Sequence, residues 1–354
     1  MLRSVFISPP WRRVGGAAST SEAPEGNCLG ELDWSAGSGP GPCPGRPPAA
    51  LLAPAMAQAA RDGLWAAGPL REGRRGGVHW RAAGGLCFGA LDQVCGGRPL
   101  ADLARAAYAD VFASLRDAGV PRLLRVWNYL PAIHDDDAAA LDAPSEASER
   151  YRQFNIGRQA AFIAEGHDAF AGSPAACALG VDGDVLSLRF IAGAVPTEAV
   201  DNPRQVPAWR YPGQYGPKAP TFSRASLVDF EPDRSTLMVS GTASIVGHGS
   251  CHPGDVRAQT RETLANLDAV LAQAARQRPA LAGRHARELE ATVYVRHARD
   301  LAAVQDELAT AWGEPAARRA VYLRADVCRR ELLVEIEGHL DPMPVPATAA
   351  GVAA

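Results

Sequence analysis

Two glutamates near the end of the chain have a spacing that could serve acid–base chemistry. In LLVEIEG, residues 332–338, strand alternation places Glu335 and Glu337 on one face and Val334 and Ile336 on the other. The pattern alone favours solvent-facing carboxylates on a half-buried strand. Either carboxyl can act as a general acid near neutral pH only if burial against apolar walls raises its pKa.

A second group of reactive side chains lies in GHGSCH, residues 247–252. His248, Cys251 and His252 are residue types that bind metals, and two of them lie one turn apart if the segment is helical. No second group of ligands is evident, so we expect no metal. The sequence also lacks the GxGxxG, P-loop and HExxH patterns, so we expect no nucleotide cofactor.

The composition argues against several classes of partner. The formal net charge of -3 over 354 residues gives no large field of one sign, so we expect neither nucleic acid nor a membrane as a partner. No apolar run is long enough to cross a membrane, and the seven cysteines form no CxxC pair. We therefore expect a cytoplasmic protein with reduced thiols.

The basic residues are almost all arginine. Lys218 is the only lysine, and the other 35 basic residues are Arg. A GC-rich gene is the simplest cause of this bias. An arginine can nevertheless bind a carboxylate through two parallel hydrogen bonds, which a lysine cannot do.

The first 55 residues differ from the rest. Seventeen of them are Gly or Pro and no apolar periodicity is present, so we expect residues 1–55 to be a disordered leader. Met56 opens a more ordinary sequence, and both Met1 and Met56 are compatible with the true start. Residues 343–354 are expected to be a disordered tail.

From residue 84 the sequence organises into two similar halves, predicted as residues 56–205 and 206–342. Apolar periodicity predicts the order strand, helix, strand, helix, strand, strand in each half. The predicted elements of the first half are strands at 85–91, 123–130, 176–181 and 184–193 and helices at 100–118 and 149–165. Those of the second half are strands at 223–230, 235–246, 289–296, 320–327 and 332–338 and helices at 255–277 and from 301.

Two features refine this organisation. The step Asp182-Gly183 predicts a β-hairpin between the last two strands of the first half.

The order of the second half, with NLDAVL on its first helix and VEIEG at its close, resembles the small trimeric RidA (YjgF) fold. The resemblance implies an α+β chain of two RidA-like halves, each a mixed sheet backed by two helices. Because RidA subunits hold ligands in clefts between neighbouring sheets, one cleft would become internal to this chain.

Several long strings carry a more specific resemblance. They are WNYLP at 127–131, ERYRQFNIGR at 149–158, WRYPGQYGPKAPTFSRA at 209–225 and SGTASIVGH at 240–248, followed by Cys328 and LLVEIEG. Together they resemble the chorismatases, cofactor-independent enzymes that include 3-hydroxybenzoate synthases and chorismate hydrolases. The resemblance covers roughly residues 80–340 and leaves 1–55 unexplained. GHGSCH departs slightly from the GHES-like string of the family.

The resemblance implies roles for particular residues. The family places its general acid seven residues after the cysteine, which is Glu335 here, and leaves Glu337 structural. Protonation of the terminal methylene carbon of the enolpyruvyl ether of chorismate would form an oxocarbenium ion. The two carboxylates of chorismate need charge-assisted partners, for which Arg158 and Arg224 are the candidates, with Tyr215 adding a hydrogen bond. A surface ion pair is the alternative for either arginine.

Gly241 and Cys328 are expected to form walls of the same pocket. Differences at these two positions separate family members in which water attacks from those in which the ring hydroxyl attacks and aromatisation follows. A Gly and Cys pairing resembles the branch that forms 3-hydroxybenzoate.

We therefore expect conversion of chorismate to pyruvate and 3-hydroxybenzoate, with 4-hydroxybenzoate as a further product, in secondary metabolism. One alternative is hydrolysis to a dihydroxycyclohexadiene carboxylate and pyruvate. The other is a RidA-like imine deaminase or ligand-binding protein. A monomer and a trimer both fit the sequence.

Overall fold

The computed structural model describes residues 11–14, 26–33, 50–51, 61–137, 148–231 and 234–340. Its strands are β1 (Trp11–Val14), β2 (Asn27–Asp33), β3 (Ala50–Leu51), β4 (Arg61–Ala66), β5 (Arg71–Arg75), β6 (Val78–Ala83), β7 (Leu86–Val94), β8 (Arg122–Pro131), β9 (Ala175–Val181), β10 (Val185–Gly193), β11 (Thr197–Val200), β12 (Ala225–Glu231), β13 (Arg234–Ala243), β14 (Ile245–Val246), β15 (Gly249–Ser250), β16 (Glu290–Val295), β17 (Val321–Arg324) and β18 (Val334–Leu340). Its helices are α1 (Leu100–Ala118), α2 (Arg150–Ala164), α3 (Val256–Gln277), α4 (Leu301–Trp312) and α5 (Glu314–Arg319). No helix within these ranges is long and apolar enough to span a membrane.

Two large mixed sheets organise the strands. The first has the order β5-β6-β7-β10-β8-β9 and the second β11-β12-β13-β18-β16-β17-β3. In each sheet the described pairing includes one parallel pair, β8 with β9 and β16 with β17, at equivalent places. The predicted order of elements is thus confirmed in both halves, and β18 occupies the place in the second sheet that β10 occupies in the first. The fold class is α+β, as predicted.

Helices cover one face of each sheet. On α1, Leu103, Ala107, Val111 and Leu115 recur every four residues and are buried against the first sheet together with side chains of α2. The helix ends at Gly119, whose backbone is left-handed, as its place after the last apolar residue predicts. The helices α3 and α4 cover the second sheet in the same way.

The uncovered faces of the two sheets pack on each other. Phe88 and Trp127 of the first sheet share one buried apolar cluster with Met238 and Tyr294 of the second. The layers are therefore helices, sheet, sheet, helices, with a buried layer between the sheets. A polar side chain that points from either sheet into this layer is removed from water.

β18 is the strand that brings the two predicted glutamates into this layer. Val334 and Ile336 belong to the cluster under α3 and α4, so Glu335 and Glu337 face the opposite way, toward the first sheet. The predicted alternation is correct. The solvent-facing interpretation is wrong, because a second sheet covers that face and leaves the two residues only 3% and 2% exposed.

The predicted hairpin at Asp182-Gly183 does not form. The step does join β9 to β10, but β8 lies between them and pairs with both, in parallel with β9 and antiparallel with β10. Turn chemistry describes only the local chain reversal, and the neighbour of a strand is decided by the whole sheet. The structure also adds β5 and β6, which the sequence interpretation lacked.

The division of the chain into two domains stays a prediction. Two strands, β11 and β2, lie outside the limits that the sequence predicts for the second half and for the ordered part of the chain. The strand β11 pairs with β12, so the second sheet begins before residue 206. In the predicted leader, β2 pairs with β4, and its Leu29 and Leu32 are buried in the cluster between the sheets. The prediction of disorder is therefore wrong for Asn27–Asp33. Most of residues 1–55 and the predicted tail, 343–354, lie outside the described residues.

Candidate active site

A cavity of about 390 Å³ opens beside the layer between the sheets. Its floor includes Glu335 and Gly241, and its walls include Arg224 and Cys328. A smaller recess of about 30 Å³ shares Glu335, Gly241 and Cys328 with the cavity and is also lined by Arg158. The remaining side chains around the cavity or recess are Glu149, Tyr151, Arg152, Asn155, Ala176, Cys177, Ala178, Tyr211, Gln214, Tyr215, Pro220, Phe222, Ala243, Ile245, Arg329, Arg330 and Glu331. All six residues singled out in the sequence therefore line the cavity or the recess beside it.

Glu335 is held in the middle of the second sheet. Its strand, β18, pairs with β13 on one side and β16 on the other, so its backbone is fixed along both edges. Burial raises the pKa of Glu335 to about 8, with a further upward contribution from the charge of Glu337 and an opposing one from Arg125. Its Oε1 atom has no hydrogen-bond partner among the described residues. The carboxyl is therefore protonated at neutral pH and borders the cavity.

Glu337 has the opposite environment although it lies two residues away. Its carboxylate accepts hydrogen bonds from the Nε1 of Trp127 at 3.0 Å and from the hydroxyl of Tyr294 at 2.7 Å. It also forms a buried ion pair with Arg125. Three donors from three directions hold this carboxylate in place and leave it no freedom to reach a ligand.

Gly241 makes room for the Glu335 carboxyl. It lies where β13 carries a bulge, since the register with β18 shifts between Val239 and Thr242. A Cβ atom built on Gly241 would stand 1.9 Å from Oε1 of Glu335 and 3.2 Å from Cβ of Cys177. Any other residue at this position would displace the carboxyl.

Arg158 lines the recess. It is 2% exposed, on the buried side of α2, and its guanidinium lies over the rings of Tyr108 and Phe162. Its Nε and Nη2 atoms have no hydrogen-bond partner among the described residues. Gly157 allows this close packing, because a Cβ there would meet the carbonyl oxygen of Ala101 at 2.0 Å. A buried guanidinium with unused donors is suited to an anionic ligand.

Arg224 provides a second cation, on the wall of the cavity. It precedes β12, is 5% exposed, and donates through Nη2 to the carbonyl of Val206 and the hydroxyl of Tyr211. Its guanidinium lies over the rings of Tyr211 and Phe222, while its Nε has no partner among the described residues. The hydrogen bonds fix the group and leave one buried donor for a ligand.

Tyr215 lies at the more exposed side of the cavity. Its hydroxyl is 3.2 Å from Nδ1 of His248, and Arg329 stacks on its ring with 3.8 Å between Cζ and the ring centre. Arg329 also lines the cavity, and the sequence interpretation did not identify it. No periodic signal could have done so, because it lies in the irregular segment between β17 and β18 and its role depends on the tertiary contact with Tyr215 and Tyr211.

Cys328 forms part of the wall next to Glu335. Burial raises the pKa of its thiol to about 12, and the neighbouring Glu335 acts in the same direction. The thiol is therefore neutral at physiological pH and acts as a small apolar wall, not as a nucleophile.

The GHGSCH segment is not helical, so it does not place its side chains as a helix would. His248 faces Tyr215, His252 lies 3.3 Å from a carboxylate oxygen of Glu262, and Cys251 is near the carbonyl of Gly249. Within the part of the chain that the structure describes, no group of three or more His, Cys, Asp or Glu side chains could hold a metal ion.

Comparisons with known proteins agree with this geometry. A family profile described as "Chorismatase FkbO/Hyg5-like, N-terminal" matches residues 63–192. A chorismatase of Streptomyces rapamycinicus is 36% identical over 277 residues, which cover 77% of this chain and 80% of the relative. A 3-hydroxybenzoate synthase of Streptomyces hygroscopicus is 35% identical over 278 residues, covering 75% of this chain and 77% of that protein.

A solved structure supports the same grouping. A chorismatase crystal structure superimposes with a TM-score of 0.79 at 30% identity, covering 94% of this chain and 98% of the other. The likeness therefore extends over both sheets and the cavity between them.

Proposed function

Because this chain belongs to the chorismatase family, we propose that it cleaves chorismate to pyruvate and 3-hydroxybenzoate, with Glu335 as the proton donor. The observation that carries the proposal is the position of Glu335: a buried carboxyl, protonated at neutral pH, on the floor of a cavity. The cavity volume of about 390 Å³ lies within the range of small-molecule sites. The chemistry needs no resident metal or cofactor.

The first step is proton transfer from the Glu335 carboxyl to the terminal methylene carbon of the enolpyruvyl group. The ether oxygen then carries part of the positive charge as an oxocarbenium ion. A pKa of about 8 keeps the donor protonated at neutral pH without making it too weak an acid. Since Oε1 is not engaged by a protein group in the described residues, the acid can turn toward a substrate.

The two carboxylates of chorismate require the two buried guanidinium groups. We assign Arg158 and Arg224 to them, because both are nearly buried and both keep unused donors. Desolvated carboxylates are costly unless charge-assisted hydrogen bonds replace water. Tyr215 provides a further donor at the cavity edge. These contacts would hold the methylene carbon against Glu335.

The fate of the oxocarbenium ion decides the product. Pyruvate and 3-hydroxybenzoate together contain all the atoms of chorismate, so this route consumes no water. The ring 4-hydroxyl attacks ring carbon 3 as the bond from that carbon to the pyruvate oxygen breaks, so pyruvate leaves as the ketone and the hydroxyl proton passes to the Glu335 carboxylate. The resulting epoxide opens at its bond to carbon 4, and transfer of the hydrogen on carbon 3 to the oxygen aromatises the ring. Gly241 and Cys328 favour this route because their small side chains let Glu335 lie deep in the cavity, against the substrate ring. Some 4-hydroxybenzoate is proposed as a minor product.

The compartment we propose is the cytoplasm. Among the described residues, Cys87, Cys95, Cys177, Cys251 and Cys328 are free thiols. Free thiols persist in a reducing compartment. All the residues to which we assign a role in the reaction belong to one chain.

Incubation of the purified protein with chorismate tests the proposal. We expect pyruvate and 3-hydroxybenzoate in equal amounts, identified by chromatography, with no added cofactor and with an unchanged rate after dialysis against a chelator. A dihydroxycyclohexadiene carboxylate as the main ring product would favour hydrolysis instead. If no pyruvate appeared but an imine were deaminated, the RidA-like alternative would replace the proposal.

A further inference from the structure

The second glutamate of β18 belongs to a buried polar network that the proposed reaction does not use. Glu337 is fixed by Arg125 and Trp127, both on β8 of the first sheet, and by Tyr294 on β16 of its own sheet. The hydroxyl of Tyr294 lies 3.2 Å from that of Tyr129, which extends the network across the layer between the sheets. All five side chains are buried.

From this arrangement we infer that Glu337, held ionised by Arg125, is a positioning residue that keeps the proton on Glu335. The inference rests on the proposed role of Glu335 as the acid. It assigns to the ion pair a function in the reaction beyond the joining of the two sheets.

Geometry places the two carboxyls within effective electrostatic range. Residues two apart on a strand lie on the same face, about 7 Å apart along the chain. Both side chains point into a layer from which water is excluded, where a like charge acts strongly. The upward shift in the pKa of Glu335 agrees, since Glu337 contributes to it after burial itself.

Arg125 decides which of the two glutamates is ionised. Without a cation, two close carboxyls would share a proton between them. The Arg125 guanidinium forms an ion pair with Glu337, and the Trp127 indole and the Tyr294 hydroxyl donate hydrogen bonds to the same carboxylate. The negative charge therefore stays on Glu337. By contrast, the Oε1 atom of Glu335 has no hydrogen-bond partner among the described residues. The proton therefore resides next to the cavity.

Other titratable groups also face Glu335 and are left unchanged by the test below. Those on neighbouring elements are Cys177 on β9, Cys328 before β18, Tyr294 on β16, Tyr151 and Arg158 on α2, and Arg224 before β12. Burial raises the pKa of the two thiols and of both tyrosines, so these four groups are neutral near pH 8.

Two variants separate an electrostatic role from a merely structural one. Glu337→Gln removes the like charge, keeps an acceptor for Trp127 and Tyr294, and leaves Arg125 as an unpaired cation near Glu335. The double variant Arg125→Met with Glu337→Gln removes both charges and fills the space with an apolar side chain. Asp306→Asn, on the exposed side of α4, is the matched control for loss of one negative charge.

The experiment makes two measurements on each variant. The first is kcat/KM as a function of pH, and the second is the titration of the Glu335 carboxyl in the free enzyme by infrared spectroscopy. The variant Glu335→Gln identifies the infrared band of that carboxyl. We expect the alkaline limb and the titration of Glu337→Gln to move together to lower pH by about 1 unit or more. The double variant should return both toward the wild-type pH, and Asp306→Asn should leave both unchanged.

The outcomes distinguish this inference from the proposed function. If the Glu335 titration is the same in Glu337→Gln and in the wild type, the inference is wrong, while the acid role of Glu335 stands. If the titration moves but the pH dependence of the rate does not, the coupling is established and Glu335 is not the acid. Should Glu337→Gln fail to fold, Arg125→Gln decides: loss of the cation that lowers the pKa of Glu335 and pairs with Glu337 should shift the Glu335 titration, and an unchanged titration would overturn the coupling.

Discussion

The carboxyl of Glu335 lies directly over Gly241, so close that a Cβ atom at residue 241 would stand 1.9 Å from Oε1 and 2.6 Å from Cδ. The backbone of Gly241 is not in a left-handed conformation, so the glycine is required for space and not for a turn. The glycine at the bulge in β13 therefore provides the space that the Glu335 carboxyl occupies.

Gly241→Ala should disturb the acid without unfolding the chain. The new methyl group must push the Glu335 carboxyl aside, and a displacement of about 1 Å in a catalytic group can cost on the order of 100-fold in rate. We expect kcat to fall and the fraction of hydrolysis product to rise, measured by chromatography of the ring products. Gly249→Ala is the control, because a Cβ there meets nothing closer than 3.9 Å. Unaltered rate and products in Gly241→Ala would place the reacting carboxyl elsewhere.

Arg158→Lys and Arg224→Lys should both weaken substrate binding. An ammonium group keeps the charge but cannot form two parallel hydrogen bonds with a carboxylate, and loss of a buried charge partner costs about 2 to 5 kcal/mol. We expect a large rise in KM for each variant, from initial rates over a range of chorismate concentrations. Arg210→Lys, at an exposed position outside the cavity, should behave as the wild type. A normal KM in either test variant would remove that arginine from the site.

Removal of residues 1–55 should destabilise the protein, in contrast to the expectation from composition. Leu29 and Leu32 of β2 are buried between the sheets, and loss of one buried leucine side chain typically costs about 2 to 5 kcal/mol. A chain that starts at Met56 should therefore have a lower Tm in calorimetry. A chain that starts at residue 26 keeps β2 and should lose less. Equal Tm values for the full chain and the Met56 chain would show that β2 adds no stability.

The stability of the fold should depend on pH through Glu335. Its pKa is raised on folding from 4.5 to about 8, so the stability gained from the protonated form is fully present below about pH 4.5 and is lost as pH rises through about 8. Glu335→Gln lacks this loss. Urea unfolding at a series of pH values gives the free energy of unfolding of each protein. Relative to the wild type, this free energy should rise for Glu335→Gln by a few kcal/mol across that window. Parallel curves for the two proteins would mean that the carboxyl is not protonated in the fold.

Much of the fold could be predicted from periodicity. The helices α1, α2, α3 and α4 and the strands around them lie close to their predicted limits, because each buries one regular face. The hairpin at Asp182-Gly183 was wrong because β8 inserts between the strands it joins. The strand β2 escaped prediction because its buried Leu29 and Leu32 lie in a segment rich in glycine and proline, and the burial depends on sheets distant in sequence.

The sequence could predict which residues form the site. It could not predict the burial and the charge pairing of the two glutamates. The resemblance to chorismatases named Glu335, Gly241 and Cys328, and the structure places all three around one cavity. Strand alternation put Glu335 and Glu337 on one face but could not say that a second sheet would bury that face. The pairing of Glu337 with Arg125 joins residues 212 positions apart, and no local pattern contains that information.

Turnover of chorismate by Glu335→Gln tests the account most directly. The glutamine keeps the size and hydrogen-bonding capacity of the acid but has no acidic proton to deliver. We predict that calorimetric titration will find chorismate binding close to that of the wild type, while pyruvate release falls by about 100 to 10,000-fold. Wild-type turnover by Glu335→Gln would contradict the account, and if Glu337→Gln were then inactive at every pH, the acid would be Glu337, two residues further along β18.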